Sequence, residues 1–208
     1  MNTDLGHSSL GLGRIPEELR PPENVQALLF DCDGTLVDTL ALYRSCWEVV
    51  FGARGFELTD EWFETWRGHT MVPFLLAALP DLTPDELVAV EREGLDMFFE
   101  RAHELEAFEH IVDIARQFHG RVPIAVVSGG PRDAVERTLE ATGLDELFDL
   151  VVTNTDVDNG KPAPDAYLLA MERLGVDAAH CVAYEDSGSG IASAEAAGIA
   201  LVLDVTAV

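Results

Sequence analysis

From about Phe108 to its end the chain alternates short apolar runs with amphipathic stretches of helical spacing, and few folds accommodate that pattern. A helix is expected over Ile111–Phe118, then a strand over Val122–Val127. A second helix runs from about Arg132 to Thr142 and is stopped by Gly143, before a strand at Leu150–Thr153. Pro164 opens a third helix, through Leu174, and Gly175 ends it. A strand at Cys181–Tyr184, a helix at Ile191–Ala197 stopped by Gly198, and a strand at Ala200–Leu203 complete the series. The strand runs are almost continuously apolar, so both faces must be covered, which is the mark of a buried parallel sheet.

One more such run, Val25–Phe30, stands far upstream. Between it and the rest lies a block of helical periodicity: Leu40–Val50, Trp62–Trp66, Val72–Leu79 and Leu87–Phe99. Thr83-Pro84-Asp85-Glu86 reads as a helix start, with Thr83 as cap and Pro84 in the first turn. The expected architecture is α/β: a doubly wound, Rossmann-like parallel sheet over residues 25–38 and 107–208, interrupted by a helical cap over residues 39–106. Trp47, Trp62, Trp66 and Phe98-Phe99 are expected to form the cap's core. Residues 1–24 carry several Gly and Pro and no long apolar run, and read as a loose leader.

Composition narrows the partners. The formal net charge is -25 over 208 residues, which disfavours nucleic acid and anionic membrane because both repel it. An anionic substrate would then need positive charge supplied locally. No apolar stretch approaches the ~18 residues of a membrane span. Cys32, Cys46 and Cys181 form no C-x-x-C pair, and an odd count without a signal peptide suits a reducing cytoplasm. A monomer is expected. The six histidines fit no metal-ligand spacing.

In open parallel sheets, ligands sit outside the carboxyl ends of the strands, so the residues after each strand carry the chemistry. After the first comes Asp31-Cys32-Asp33-Gly34-Thr35, after the second Ser128-Gly129-Gly130, beyond the third Gly160-Lys161-Pro162, and after the fourth Glu185-Asp186-Ser187. Of two carboxylates two residues apart at a strand end, Asp31 and Asp33, one can serve as nucleophile and metal ligand and the other as acid and base. The glycine stands too early in this loop for an EF-hand. Lys161 is the sole lysine among 13 Lys and Arg residues, and a compact ammonium suits a point contact with phosphate and carboxylate. The Ser128 hydroxyl and Gly129 amide can both donate to a phosphate oxygen. The adjacent acids Glu185 and Asp186 make sense beside a cation; Asp186 is the preferred Mg²⁺ ligand and Glu185 the secondary one. Gly188-x-Gly190-x-x-Ser193 is a poor dinucleotide fingerprint, because the acidic pair beside it would repel a pyrophosphate.

Taken together over residues 25–208, these motifs resemble the haloacid dehalogenase superfamily, subfamily I, whose phosphatases insert a helical cap after the first strand. The resemblance implies a HAD-like fold. It makes Asp31 the nucleophile and Asp33 the acid/base, aligns Ser128, Lys161 and Glu185-Asp186 with the family's remaining motifs, and implies Mg²⁺ held by the Asp31 carboxylate, the Asp33 carbonyl and Asp186. Gly160–Asp165 and Glu185–Ser187 are similar to the β-phosphoglucomutase branch. His119–Val126 and Gly160–Gly175 are similar to the fructose-1-phosphate phosphatase type. A dehalogenase would lack Asp33, and a phosphonate hydrolase would need a cap lysine. Where a mutase carries a cap-hinge His and a cap Arg, Tyr43 and Met71 stand here, and Arg67 is the cap cation best placed to meet a phosphate. The implied function is a Mg²⁺-dependent phosphatase acting on a small phosphorylated metabolite, such as fructose 1-phosphate, through an aspartyl-phosphate. The alternatives are a hexose-phosphate mutase and, from another class, a non-catalytic binding module.

Overall fold

The computed structural model describes residues 15–66 and 71–207. In chain order the elements are β1 (Ala27–Phe30), α1 (Leu40–Gly52), α2 (Asp60–Trp66), α3 (Met71–Ala78), α4 (Pro84–Arg101), α5 (Glu109–Phe118), β2 (Ile124–Val127), α6 (Arg132–Thr142), β3 (Leu150–Val152), α7 (Asp165–Leu174), β4 (Cys181–Glu185), α8 (Gly188–Ala196) and β5 (Leu201–Asp204). The strands form one 5-stranded parallel sheet in the order β3-β2-β1-β4-β5. The chain winds outward from β1 to β3, then crosses back to lay β4 on the other side of β1. The order therefore reverses beside β1, and the crevice at the carboxyl ends of β1 and β4 is the topological switch point where such sheets bind ligands.

Strand side chains alternate between two covered faces. Leu28, Phe30, Ile124, Val126, Val182 and Tyr184 pack with Ile111, Ile114 and Ala115 of α5 and Val135 and Leu139 of α6. The opposite face presents the small residues Ala27, Ala125 and Ala183, and α7 and α8 lie on it through Ala166, Ala170 and Ala194. Covering both faces explains why β1, β2 and β4 read as unbroken apolar runs.

Several element ends differ from the expectation. Val25 and Gln26 precede β1; the Gln26 amide is already tied to the His180 carbonyl at 2.8 Å. Pro123 holds back the start of β2, while its carbonyl accepts from Leu28 at 3.1 Å. Thr153 leaves β3 because its amide donates to the Asp156 carboxylate at 2.8 Å. Glu185 joins β4 by pairing with Asp204, which also carries β5 one residue further than expected. Helix α8 starts at Gly188, ahead of the expected Ile191, because Ser187 caps it by accepting from the Gly190 amide at 3.1 Å. Nor is the leader loose over its second half: Ile15 and Leu19 are buried, and the Tyr184 hydroxyl donates to the Leu19 carbonyl at 3.0 Å. Among the described residues no helix is long and apolar enough to cross a membrane.

Helices α1 to α4 intervene between β1 and α5, as the periodicity indicates. Thr83 and Glu86 form a reciprocal capping box at the start of α4. The helical block has its own core of Trp47, Phe51, Phe63, Phe74 and Leu75. Its entry and exit segments lie together: Asp38 N donates to Glu106 O at 2.9 Å, and Phe108 N to Leu36 O at 2.9 Å. The block is thereby moored directly above the end of β1.

Packing of α1 on α4 depends on Gly94. A Cβ added there would overlap the indole of Trp47, which is only 1% exposed and has no room to yield. Gly94→Ala should therefore lower stability by about 1–2 kcal/mol in urea unfolding, because overpacking outweighs the ~1 kcal/mol that alanine gains in helix propensity. An unchanged or raised midpoint would contradict this close approach.

Candidate active site

Asp31 is the residue immediately beyond β1, and its amide donates to the Tyr184 carbonyl at 3.0 Å, which fixes it against β4. Its carboxylate is almost fully buried. Lys161, on the loop after β3, reaches it from the other side. The ammonium donates to Asp31 Oδ1 at 2.7 Å, to Glu185 Oε1 at 2.5 Å and to the Val127 carbonyl at 2.8 Å. All three ammonium donors are thus used, one on each of β1, β2 and β4 or its immediate end. The peptide from Lys161 to Pro162 is cis.

Burial works against the charge on Lys161, but Asp31 and Glu185 outweigh it and hold its pKa above the ordinary value. Glu185 is wholly buried. Burial and the neighbouring Asp31 push its carboxyl up, while Lys161 and Tyr167 pull it back. The Tyr167 hydroxyl donates to the same Oε1 at 2.6 Å, and its ring lies 5.2 Å from the Lys161 ammonium. Tyr167 is the site residue that sequence reasoning missed. It falls on the apolar face of α7 among Ala166, Ala170 and Met171, and nothing in the spacing separates it from core.

Asp33 lies across from this pair. Its Oδ2 accepts from the Ser128 hydroxyl at 3.2 Å, and Ser128 Oγ in turn accepts from the Gly130 amide at 3.0 Å. Burial first, and then the charge of Asp31, push the Asp33 carboxyl up to about 6. The environment therefore separates two carboxylates that are close in sequence: Asp31 paired with a cation, Asp33 bonded to a hydroxyl and shifted toward its protonated form. Gly129 sits beside the lysine stem, where an added Cβ would lie 4.0 Å from Lys161 Cδ.

Asp186 follows β4. Gly34 adopts φ 87°, the left-handed region, and an added Cβ there would overlap the Asp186 carboxylate. Gly190 makes the same close approach to the Glu185 carboxylate. Ligand oxygens of Asp31, Glu185 and Asp186 all lie within 4.8 Å of one another. An all-oxygen set of this kind fits Mg²⁺ rather than a softer metal. Glu185 already serves Lys161 and Tyr167 through Oε1, so Asp31 and Asp186 are the better placed pair. The structure thus brings together Asp31, Asp33, Ser128, Gly129, Lys161, Glu185 and Asp186; Arg67 lies outside the described residues.

Among the described residues, Lys161 is the only cation paired with the buried carboxylates of Asp31 and Glu185. Lys161→Met should cost roughly 3 kcal/mol or more of unfolding free energy, since it leaves buried charge unpaired. Tyr167→Phe should cost only about 1 kcal/mol, as Glu185 keeps its lysine. Urea denaturation without substrate measures both, and equal or reversed losses would contradict the geometry.

The pattern of the haloacid dehalogenase-like hydrolases matches residues 25–198. The fructose-1-phosphate phosphatase YqaB of Escherichia coli is 35% identical over 185 residues, covering 85% of this chain and 95% of that protein. A phosphorylated carbohydrates phosphatase of Thermotoga maritima is 33% identical over 181 residues, covering 84% of this chain and 82% of its own. Among solved structures, CbbY from Rhodobacter sphaeroides in complex with phosphate superposes with a TM-score of 0.77 at 27% identity, covering 86% of this chain and 85% of that one. The chain belongs to the haloacid dehalogenase-like hydrolases, and among them it is a phosphoric monoester hydrolase.

Proposed function

We propose that the protein is a Mg²⁺-dependent phosphatase of small sugar phosphates, with fructose 1-phosphate as the first candidate, and that it works through an aspartyl-phosphate on Asp31. The observation that carries this reading is the contrast between two carboxylates at one strand end: Asp31 paired with the Lys161 ammonium at 2.7 Å, Asp33 held by Ser128 with its pKa raised. The substrate candidate comes from the relative named a fructose-1-phosphate phosphatase.

In this reading the Asp31 carboxylate attacks phosphorus in line. Asp33, protonated, gives its proton to the departing oxygen, so the sugar leaves as an alcohol. The emptied Asp33 then takes a proton from water as that water attacks the aspartyl-phosphate, and Asp31 is restored. The Ser128 hydroxyl turns from Asp33 to a phosphoryl oxygen and joins the Gly129 amide and Lys161 there. Held by the Asp31 carboxylate, the Asp33 carbonyl and Asp186, Mg²⁺ would supply two positive charges against the repulsion between a carboxylate and a phosphate dianion. Glu185 and Tyr167 keep Lys161 aimed at the site. Residues 39–106 act as a cap on the core of residues 25–38 and 107–208. The paired segments at Asp38 and Glu106 serve as its hinge, and Arg67 is a cap contact for the substrate phosphate. A second reading, a hexose-phosphate mutase, is favoured by a 30% identical relative from Mycobacterium bovis named beta-phosphoglucomutase.

Asp31→Asn should lower phosphate release by roughly 10³-fold or more, because an amide is a poor nucleophile. Asp33→Asn, exposed briefly to substrate, should gain the mass of one phosphoryl group on Asp31. Normal turnover by Asp31→Asn would sink the assignment. Activity should vanish in chelator and return with Mg²⁺. Lys161→Arg should lose most activity although the charge is kept, because a guanidinium cannot reproduce the three-point ammonium contact; full activity would refute that. β-Glucose 1-phosphate with a trace of the bisphosphate separates the two readings. Free phosphate is expected, and efficient formation of glucose 6-phosphate would establish the mutase instead.

A further inference from the structure

We infer that Tyr167 is a positioning residue for the metal site: its hydroxyl commits the Glu185 carboxylate to Lys161, keeps Glu185 from joining Asp31 and Asp186 as a further ligand, and so biases the site toward Mg²⁺ over the larger Ca²⁺. This rests on the reading of Asp31 and Asp186 as Mg²⁺ ligands and adds the residue that sets the ligand count.

Glu185 is near enough to serve either partner. One of its carboxylate oxygens lies within 4.8 Å of oxygens of both Asp31 and Asp186, so all three could share an ion. Its main chain is fixed, since β4 pairs it with Asp204, and its side chain is wholly buried. The choice between metal and lysine therefore falls on the lone pairs. A carboxylate oxygen accepts in about two directions. Oε1 spends them on the Lys161 ammonium at 2.5 Å and the Tyr167 hydroxyl at 2.6 Å. Oε2 backs onto Gly190, where an added Cβ would overlap it, and meets the Ser187 hydroxyl only at 3.5 Å. Two donors on Oε1, one from α7 and one from the loop before it, fix the carboxylate plane. One donor would leave that soft terminal torsion free to turn.

The phenol has no other hydrogen bond. Tyr167 is wholly buried on the sheet face that presents Ala27, Ala125 and Ala183, and among the described residues it is the only aromatic side chain of that cluster. Those small residues make room for the ring, and phenylalanine would fill the same space. A buried hydroxyl is costly unless bonded, and among the described residues Glu185 is its one partner. What tyrosine adds over phenylalanine is that single bond. With the phenol gone, Oε1 keeps its lysine but gains a free lone pair, and the carboxylate can turn toward a cation. Mg²⁺ demands a tight octahedron and keeps several waters, so it gains little from another carboxylate. Ca²⁺ takes more oxygens in looser geometry, bidentate carboxylates among them, and gains more.

The test measures Mg²⁺ and Ca²⁺ affinities of the full chain without substrate, by displacement of Mn²⁺ followed by electron paramagnetic resonance, in salt that screens surface carboxylates. The readout is the ratio of the two affinities, in which a change of charge near the site largely cancels because both ions are divalent. Tyr167→Phe should shift the ratio toward Ca²⁺ by about tenfold, the scale on which outer partners tune metal sites. Adding Glu185→Gln to it should restore the wild-type ratio, and Glu185→Gln alone should leave the ratio where it was. Circular dichroism checks each fold. An unmoved ratio in folded Tyr167→Phe, or a shift that survives in the double variant, would overturn the inference. So would a shift in Glu185→Gln alone, which would make Glu185 a ligand already and needs no Tyr167 variant to fold. Bound Mn²⁺ that Mg²⁺ cannot displace from the wild type would instead overturn the Mg²⁺ reading and this inference with it. Chelator-sensitive phosphate release by the wild type keeps the phosphatase reading whichever way the ratio moves.

Discussion

One ammonium group organises the site. Lys161 binds the Asp31 carboxylate, the Glu185 carboxylate and the Val127 carbonyl, and so ties the ends of β1, β4 and β2 together. Without it, buried carboxylates would face one another across the switch point of the sheet, and at least one would have to take up a proton. With it, Asp31 has a cation of its own beside a neighbour, Asp33, whose pKa is raised. That difference comes from environment, since the two residues are chemically the same. It is also how a chain of net charge -25 can present positive charge to an anion: locally, at one buried point, rather than over its surface.

The backbone serves the same end. β1 and β4 are adjacent and parallel, so residues one step beyond their ends, Asp31 and Asp186, reach the crevice side by side. Gly34 and Gly190 then let main chain approach carboxylates more closely than any Cβ would permit. The helical block is moored to the end of β1 by the backbone bonds at Asp38 and Phe108, while its own core is separate.

Most of the fold was legible because the central strands β1, β2 and β4 are covered on both faces and therefore read as apolar runs. The clustering of Asp31, Ser128 and Asp186 was legible because polar residues directly after apolar strands have few structural reasons to be there. What could not be read depends on contacts between distant segments. Tyr167 looks like core until Glu185 is seen at its hydroxyl, 18 positions away in sequence. The glycines look like loop residues until the carboxylates beside them are placed. The early start of α8 follows from the Ser187 cap, which overrides the helix-disfavouring Gly188 and Gly190. Ile15 and Leu19 lie in a stretch rich in Gly and Pro, and only their burial beside Tyr184 shows that they belong to the core.

The central claim, that Asp31 carries the phosphoryl group between two displacements, has a direct stereochemical consequence. Each in-line displacement inverts phosphorus, so two restore it. The decisive measurement is transfer of a phosphoryl group, made chiral with oxygen isotopes, from a sugar phosphate to an acceptor alcohol, with the configuration of the product read by phosphorus NMR. The account predicts net retention. Net inversion would mean a single displacement by the acceptor, and would contradict a covalent intermediate on Asp31.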